Sequence, residues 1–426
     1  MSDFFDDERL GPYTAPGGPA LHPDGVQWLA PWEDPYAGFP EHCRRQVEAL
    51  ALVENVQLRS VFPRILPDYM EGDDDELVYR RVKPLLDRTI GKAWAQVYSV
   101  VPSEGLFANL LNHRLMSKAD MAVINRARVI YLVLERDRVS SMMAASLNRF
   151  GQVWTTCQKS VQALTDSGVD PKLIRQVPMP YRLDEPRLDR VRPARKNDVP
   201  RFLHIGKWEP RKAQDRLVLA FMQAFRPREA KLVVKTGSGF FRKTDEGYPQ
   251  SPFKALERAL EDQAVKDNGW TREVLESPDA GGLRVFTDRR SDGDIDRLHQ
   301  WADCYVSLSH AEGWDMPAFD ACLQGTLLLS TRSGGPEAFA PADTLWVPTS
   351  GLIPTDPCYG WGESSYWDFS QEAAVQALLL AAGRVMDEGP AQQAAARAAR
   401  QSAMRRFSPR TVGLLMRDYL QELKGT

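Results

Sequence analysis

Short apolar runs alternate with helix-length amphipathic stretches along most of the chain, the arrangement expected of parallel sheets covered by helices. In the first half the runs are VQWLAP (26–31), VQLRSVF (56–62), VYSVV (97–101), RVIYLVL (128–134) and QVWTT (152–156), each rich in β-formers and followed by polar or helical sequence. Between Tyr181 and Pro200 the pattern stops, and RLDEPRLDRVRPARKNDVP, rich in Arg and Pro, reads as a linker. Beyond it the pattern restarts with RFLHIG (201–206), KLVVKT (231–236), LRVFTD (283–288), CYVSLS (304–309) and TLLLST (326–331), separated by helical stretches such as DRLVLAFMQAF. The terminal segment SPRTVGLLMRDYLQEL opens on a Ser N-cap candidate and carries apolar residues at helical spacing. The expected organisation is therefore an α/β domain over 1–190, a second over 200–405, and a closing helix over 406–426.

A length of 426 residues supports two such units, and 43% hydrophobic with 26% charged residues is a globular composition. Lys plus Arg (54) nearly balance Asp plus Glu (57), so the net charge of -3 provides no global field for nucleic acid or an anionic membrane. The five cysteines are scattered and lack CxxC spacing, which argues against a disulfide framework or zinc site and for a reducing, cytoplasmic setting. The start MSDFFDDERL is acidic where a signal peptide is basic and then apolar, and no run reaches membrane-spanning length.

The densest chemistry lies in SHAEGWDMPAFDACLQG. Glu312 falls in a loop at the carboxyl end of a strand, Asp320 in the helix that Pro317 begins, and Gly325 stops that helix. Both carboxylates can face one crevice, where they would serve ligand geometry more than folding. The competing reading makes Asp315 a helix cap and Asp320 a complement to the helix dipole. RFLHIGKWEPRKAQDRLVLAF opens the same domain with Lys207 and Lys212 after a strand, a pair able to clamp a diphosphate or simply to be solvated. A third element, RSGGPEAF, places Gly334 and Gly335 before a helix start, either as an anion site or as a tight strand-to-helix turn.

In this order and spacing, G-K-W-x-x-x-K, E-x7-D and the later GGPE resemble the retaining glycosyltransferases of family four. The resemblance implies the GT-B fold, in which two Rossmann-like domains face each other across a cleft and the C-terminal helix closes back on the first domain. It also implies a nucleoside diphosphate sugar as donor, held in the C-terminal half, and retention of configuration with no metal requirement and no further cofactor. Glu312 would then bond the donor sugar hydroxyls and Asp320 the ribose, with Lys207 and Lys212 on the diphosphate. Three departures are visible: Lys207 where Arg is usual, Asp320 where Glu is usual, and Asp315 where glycine commonly lies near the sugar.

The likeness extends more faintly into the first half. Gly38 would let the backbone approach the diphosphate, and His42 follows where a helix begins, as a structural or a catalytic group. Glu135 and Asp137 follow RVIYLVL, where similar sequences place an E-x-D facing the cleft; they orient the acceptor or pair with arginines such as Arg136 and Arg138. EGDDDEL (71–77) is a like-charge block that reads as a solvated loop rather than a metal site. KTGSGFF (235–241) lacks the rest of a dinucleotide fingerprint. Trp361 and Trp367, in an insert over 349–368, stack on a ligand or cover an apolar edge. The acceptor is left open among a glycan, a lipid-linked sugar, a small molecule and a nucleic-acid base, the last favoured only by the basic residues from Arg114 to Arg149. A catalytically silent sugar-nucleotide-binding scaffold is the rival from another class.

Overall fold

The structure, a computed structural model, describes residues 21–32, 38–60, 81–100, 129–183, 199–237, 251–288, 290–356 and 363–425, with Glu185 and Leu188. The acidic block 71–77, Trp361 and the stretch 101–128 lie outside the described residues. Two six-stranded parallel sheets form the framework. The first takes β1 (Leu21–Ala30), β2 (Val56–Ser60), β3 (Thr89–Val100), β4 (Val129–Leu132), β5 (Gln152–Thr155) and β6 (Ile174–Gln176) in the order β2-β1-β3-β4-β5-β6. The second takes β7 (Arg201–Ile205), β8 (Lys231–Lys235), β9 (Leu283–Phe286), β10 (Cys304–Ser307), β11 (Leu327–Thr331) and β12 (Leu345–Val347) in the order β12-β11-β10-β7-β8-β9. A two-stranded antiparallel hairpin of β13 (Thr349–Pro354) and β14 (Ser365–Phe369) is appended.

The strands buried in the middle of each sheet are the apolar runs of the sequence, because a parallel sheet covered on both faces demands apolar side chains in both directions. VIYL of β4 and LLLST of β11 are buried at every position. In the second unit one sheet face packs Phe202, Phe221 and Trp270, and the other packs Trp314, Phe319, Phe339 and Phe407. The strand orders also fix where a ligand crevice opens. In the second sheet the winding reverses between β7 and β10, and in the first between β1 and β3; such reversals part the loops at the carboxyl ends of the strands.

Helix Pro409–Glu422 returns the chain to the first unit. Ser408 caps it by accepting from the Thr411 N–H, and Val412, Met416 and Leu420, one turn apart, enter the core formed by Trp28, Val47 and Val97. Helix Gly38–Ala51 lies alongside, and the approach is close enough that a Cβ on Gly413 would sit 2.1 Å from the Ala49 carbonyl oxygen. Among the described residues no helix is long and apolar enough to cross a membrane.

Gly413→Ala should therefore force these helices apart and destabilise the chain by about 1–3 kcal/mol, the usual range for overpacking. The fall in the thermal or urea midpoint measures it, with Ser408→Ala as the comparison for loss of the cap on the same helix.

Candidate active site

The site is assembled from the loops that follow β7 and β10, at the reversal of the second sheet. After β7 the chain passes Gly206 and an exposed Lys207, buries Trp208, and turns through the 3-10 segment Pro210–Lys212. After β10 it runs through Ser309 to Glu312, where the backbone pairs with the loop after β11. The Glu312 N–H donates to the Ser333 carbonyl at 3.0 Å, and the Gly335 N–H donates to the Glu312 carbonyl at 2.7 Å. That contact explains the paired glycines. A Cβ on Gly334, which has φ 124°, would lie 2.5 Å from the Glu312 carbonyl oxygen, and one on Gly335 would lie 2.3 Å from Trp314 Cα.

The carboxylate of Glu312 is 3% exposed and doubly paired. Lys212 Nζ donates to Oε1 at 2.5 Å, and an Arg211 guanidinium nitrogen lies 3.2 Å from Oε2. Arg211 also bonds Glu209 at 2.6 Å and the Ala311 carbonyl at 2.6 Å, and reaches Glu135 of the first unit at 3.2 Å. The sequence reading missed Arg211, although its place beside Lys212 in WEPRK was a usable signal. It also treated Glu312 as a solvent-facing group with little part in folding, and the structure corrects this: a carboxylate desolvated between two cations is part of the fold.

Electrostatics separate the acids. Burial alone would push Glu312 up, but Lys212 and Arg211 beside it hold its pKa down at about 2. Glu135, desolvated and facing Glu312 and Glu209, is pushed up to about 7 despite Arg211 and Lys212. Arg211 lies 3.2 Å from both acids, and Lys212 adds a direct second contact to Glu312. Lys212 itself is drawn down by burial and raised further by Glu312, with a net rise.

Asp315 occupies the N-cap of helix Met316–Leu323 in the left-handed region, φ 68°. One of its oxygens accepts from the Ala318 N–H at 3.4 Å and the other from the Ser307 hydroxyl at 2.5 Å. Burial, and then Glu312, raise its pKa to about 6. The left-handed backbone is a conformation glycine adopts without strain, and the cap is what aspartate gains there. Asp320, 16% exposed, meets Arg45 of helix Gly38–Ala51 through both oxygens, at 3.2 and 3.4 Å. Gly38, at the start of that helix, faces Met316, whose Cε would lie 3.8 Å from an added Cβ. The structure thus joins Glu312, Lys212, Asp315 and Glu135 in one charged cluster with the Gly334–Gly335 turn against it, and leaves Lys207 on the exposed side of its loop.

Other candidates find structural partners. His42 is buried, bonded through Nε2 to the Tyr131 hydroxyl at 2.5 Å, and burial lowers its pKa to about 3. Asp137 pairs with Arg138 and accepts from the Ser365 N–H of β14 at 2.6 Å, so the hairpin is pinned to the first unit. The Trp367 ring lies under Lys159 Nζ, 4.5 Å from its centroid. Among the described residues no three His, Cys, Asp or Glu side chains converge as a metal site.

No protein-family model matches the sequence, and no curated protein does. Solved structures do match over nearly the whole chain. HepE from Anabaena, in complex with UDP and glucose, shares 14% identity at TM-score 0.55 and covers 94% of this chain and 100% of its own. Sucrose-phosphate synthase from Thermosynechococcus elongatus shares 15% at 0.58, covering 95% and 100%. An E. coli trehalose-6-phosphate protein bound with UDP-2-fluoro glucose shares 8% at 0.56, covering 94% and 99%. At these identities the likeness establishes the fold, which is GT-B: two Rossmann-like units with the closing helix returned to the first.

The raised pKa of Glu135 has a signed consequence for stability. Its ordinary value is 4.5 and its folded value about 7, so between them the unfolded chain gives up a proton that the folded chain keeps. Stability present below pH 4.5 is lost as the pH rises towards 7. Glu135→Gln removes this loss. The melting temperature of the variant relative to the parent should rise across that window and level off above it, as a pH series of thermal unfolding would show.

Proposed function

We propose that this cleft transfers a glycosyl group from a nucleoside diphosphate sugar to an acceptor hydroxyl, with retention of configuration. The observation that carries the reading is the Lys212–Glu312 pair, set beside the Gly334–Gly335 turn at the carboxyl ends of β7 and β10 and facing Glu135 of the first unit. The neighbours HepE and the E. coli protein are solved with UDP or a UDP-sugar, and the ordered motifs of the sequence add the likeness to family four and its retaining chemistry.

In the proposed reaction the anomeric C–O bond to the diphosphate breaks and the diphosphate leaves with the electron pair. The acceptor oxygen bonds to the anomeric carbon on the same face, and its proton passes to the departing phosphate oxygen. Lys212 meets the charge that grows on the leaving group; its ammonium has three donors, and one is on Glu312. Lys207, on the solvent side of the same loop, adds a second positive charge. Glu312, kept ionised by its cations, accepts from the sugar hydroxyls, and Asp320 accepts from the ribose once Arg45 yields it. Glu135 orients the acceptor hydroxyl. Asp315, held in its cap, shapes the floor under the sugar. Fixed lysines take the part a divalent cation plays elsewhere, so no metal is required.

Nucleoside diphosphate sugars should raise the melting temperature, and mass spectrometry should identify the glycosylated product of the stabilising donor, with EDTA leaving turnover unchanged. Lys212→Ala should lower kcat by more than about tenfold, the scale of losing one preorganised charge in a transition state. A folded Lys212→Ala chain with parental turnover would refute the assignment. Glu312→Gln should cost more than about tenfold in transfer and also lower the melting temperature, since it leaves Arg211 and Lys212 without their shared anion.

A further inference from the structure

We propose that Arg211 is a positioning residue that couples the seating of Glu312 in the second unit to the docking of Glu135 from the first. The proposal rests on the reading of the cleft as a nucleotide-sugar site and deepens it: the donor carboxylate takes its working geometry only when both units are in place.

The geometry is that of a pivot. Arg211 is 6% exposed, and its guanidinium reaches three carboxylates and one carbonyl: Glu209 and Ala311 O at 2.6 Å each, Glu312 and Glu135 at 3.2 Å each. Its own carbonyl accepts from the His310 N–H at 2.8 Å, so main chain and side chain together brace the 310–312 segment. By holding Glu312 Oε2, Arg211 turns Oε1 towards Lys212. Nη1 faces Glu312, Glu135 and the Ala311 carbonyl while Nη2 is anchored on Glu209, so the second branch of the guanidinium holds the first in place, an anchorage that a lysine ammonium would lack.

Without Arg211, Glu135, Glu209, Glu312 and Asp315 would share Lys212, beside neutral His204 and Tyr366, and Glu135, already raised, would be pushed further towards its protonated form. Glu135 would then hold a proton beside Glu312 instead of sharing a cation with it. Glu135 is the first unit's contribution to this cluster, so Arg211 converts docking of that unit into the orientation of Glu312.

The test uses the full chain with Arg211→Met, Arg211→Lys, Glu135→Gln and the double variant Arg211→Met/Glu135→Gln. The probes are UDP-glucose, UDP-N-acetylglucosamine, GDP-mannose and dTDP-glucose, with product formation and the pH profile of kcat/KM as readouts. Arg211→Met should lower kcat by more than about tenfold and move the acid limb to higher pH, because Glu312 loses a cation. Arg211→Lys should return the acid limb towards its parental position while recovering only part of kcat. The double variant should lose less than the product of the single losses. Parental kcat and an unmoved acid limb in Arg211→Met, or single effects that simply multiply, would overturn the proposal. If the parental chain turns over none of the donors, the functional reading fails by itself. The same cycle, read from urea midpoints at one pH, then decides the coupling: non-additive changes support it and additive changes overturn it.

Discussion

The cleft is organised around the need to neutralise two adjacent cations, Arg211 and Lys212, where water is largely excluded. Taking a charge out of water costs several kcal/mol per ion, and the cost is offset only when partners are close and hydrogen-bonded. Glu312 supplies a partner to both, Glu209 and Glu135 supply further anions to Arg211, and the Ala311 carbonyl takes one more donor. Because the partners come from the loops after β4, β7 and β10, satisfying these charges fixes three loops at once. A ligand group entering here meets a preset electrostatic frame, the condition under which fixed charges act most strongly on a transition state.

Backbone crowding holds that frame in place. Gly313 lies against the first unit, where a Cβ would come 2.2 Å from Val133 Cγ1, and the Thr156 hydroxyl donates to the Gly313 carbonyl. The loop that presents Glu312 is thus pressed between the end of β4 on one side and the Gly334–Gly335 turn on the other. The Arg45–Asp320 and Lys159–Glu337 pairs add further bonds across the same boundary, the second at 2.9 Å. Lys159–Glu337 is partly exposed and contributes little to stability by itself, whereas Arg45–Asp320 is mostly buried. The returning helix Pro409–Glu422 completes the arrangement, since it links the end of the second unit to the core of the first.

The hairpin β13–β14 shows how a peripheral element joins the site. His310 bonds the Trp367 backbone, stacks on Phe369 with ring centroids 5.2 Å apart, and so ties the hairpin to the strand end that leads to Glu312. On its other side the hairpin meets Asp137. It therefore spans from the loop after β10 to the loop that carries Glu135.

The sequence by itself determined the two sheets, because central parallel strands must be apolar on both faces and so stand out as runs. It also marked the loops after β7 and β10, where Lys212 and Glu312 meet, while leaving each of their residues a structural alternative. Strands of three residues were beyond it: β6 and β12 have no period to read and are held by edge pairing to β5 and β11. The hairpin was hidden in an insert whose glycines and prolines resemble a loop, and β1 and β3 extend at their starts into polar sequence because they pair with each other. Only the tertiary structure decided which charges meet. Arg211 is one arginine among many in the sequence, and its role comes from contacts to Glu312 a hundred residues on and to Glu135 in the other unit. Periodicity reports which face of an element is covered, whereas the pairing of charges depends on where separate elements end in space, and that is fixed only when the two units pack.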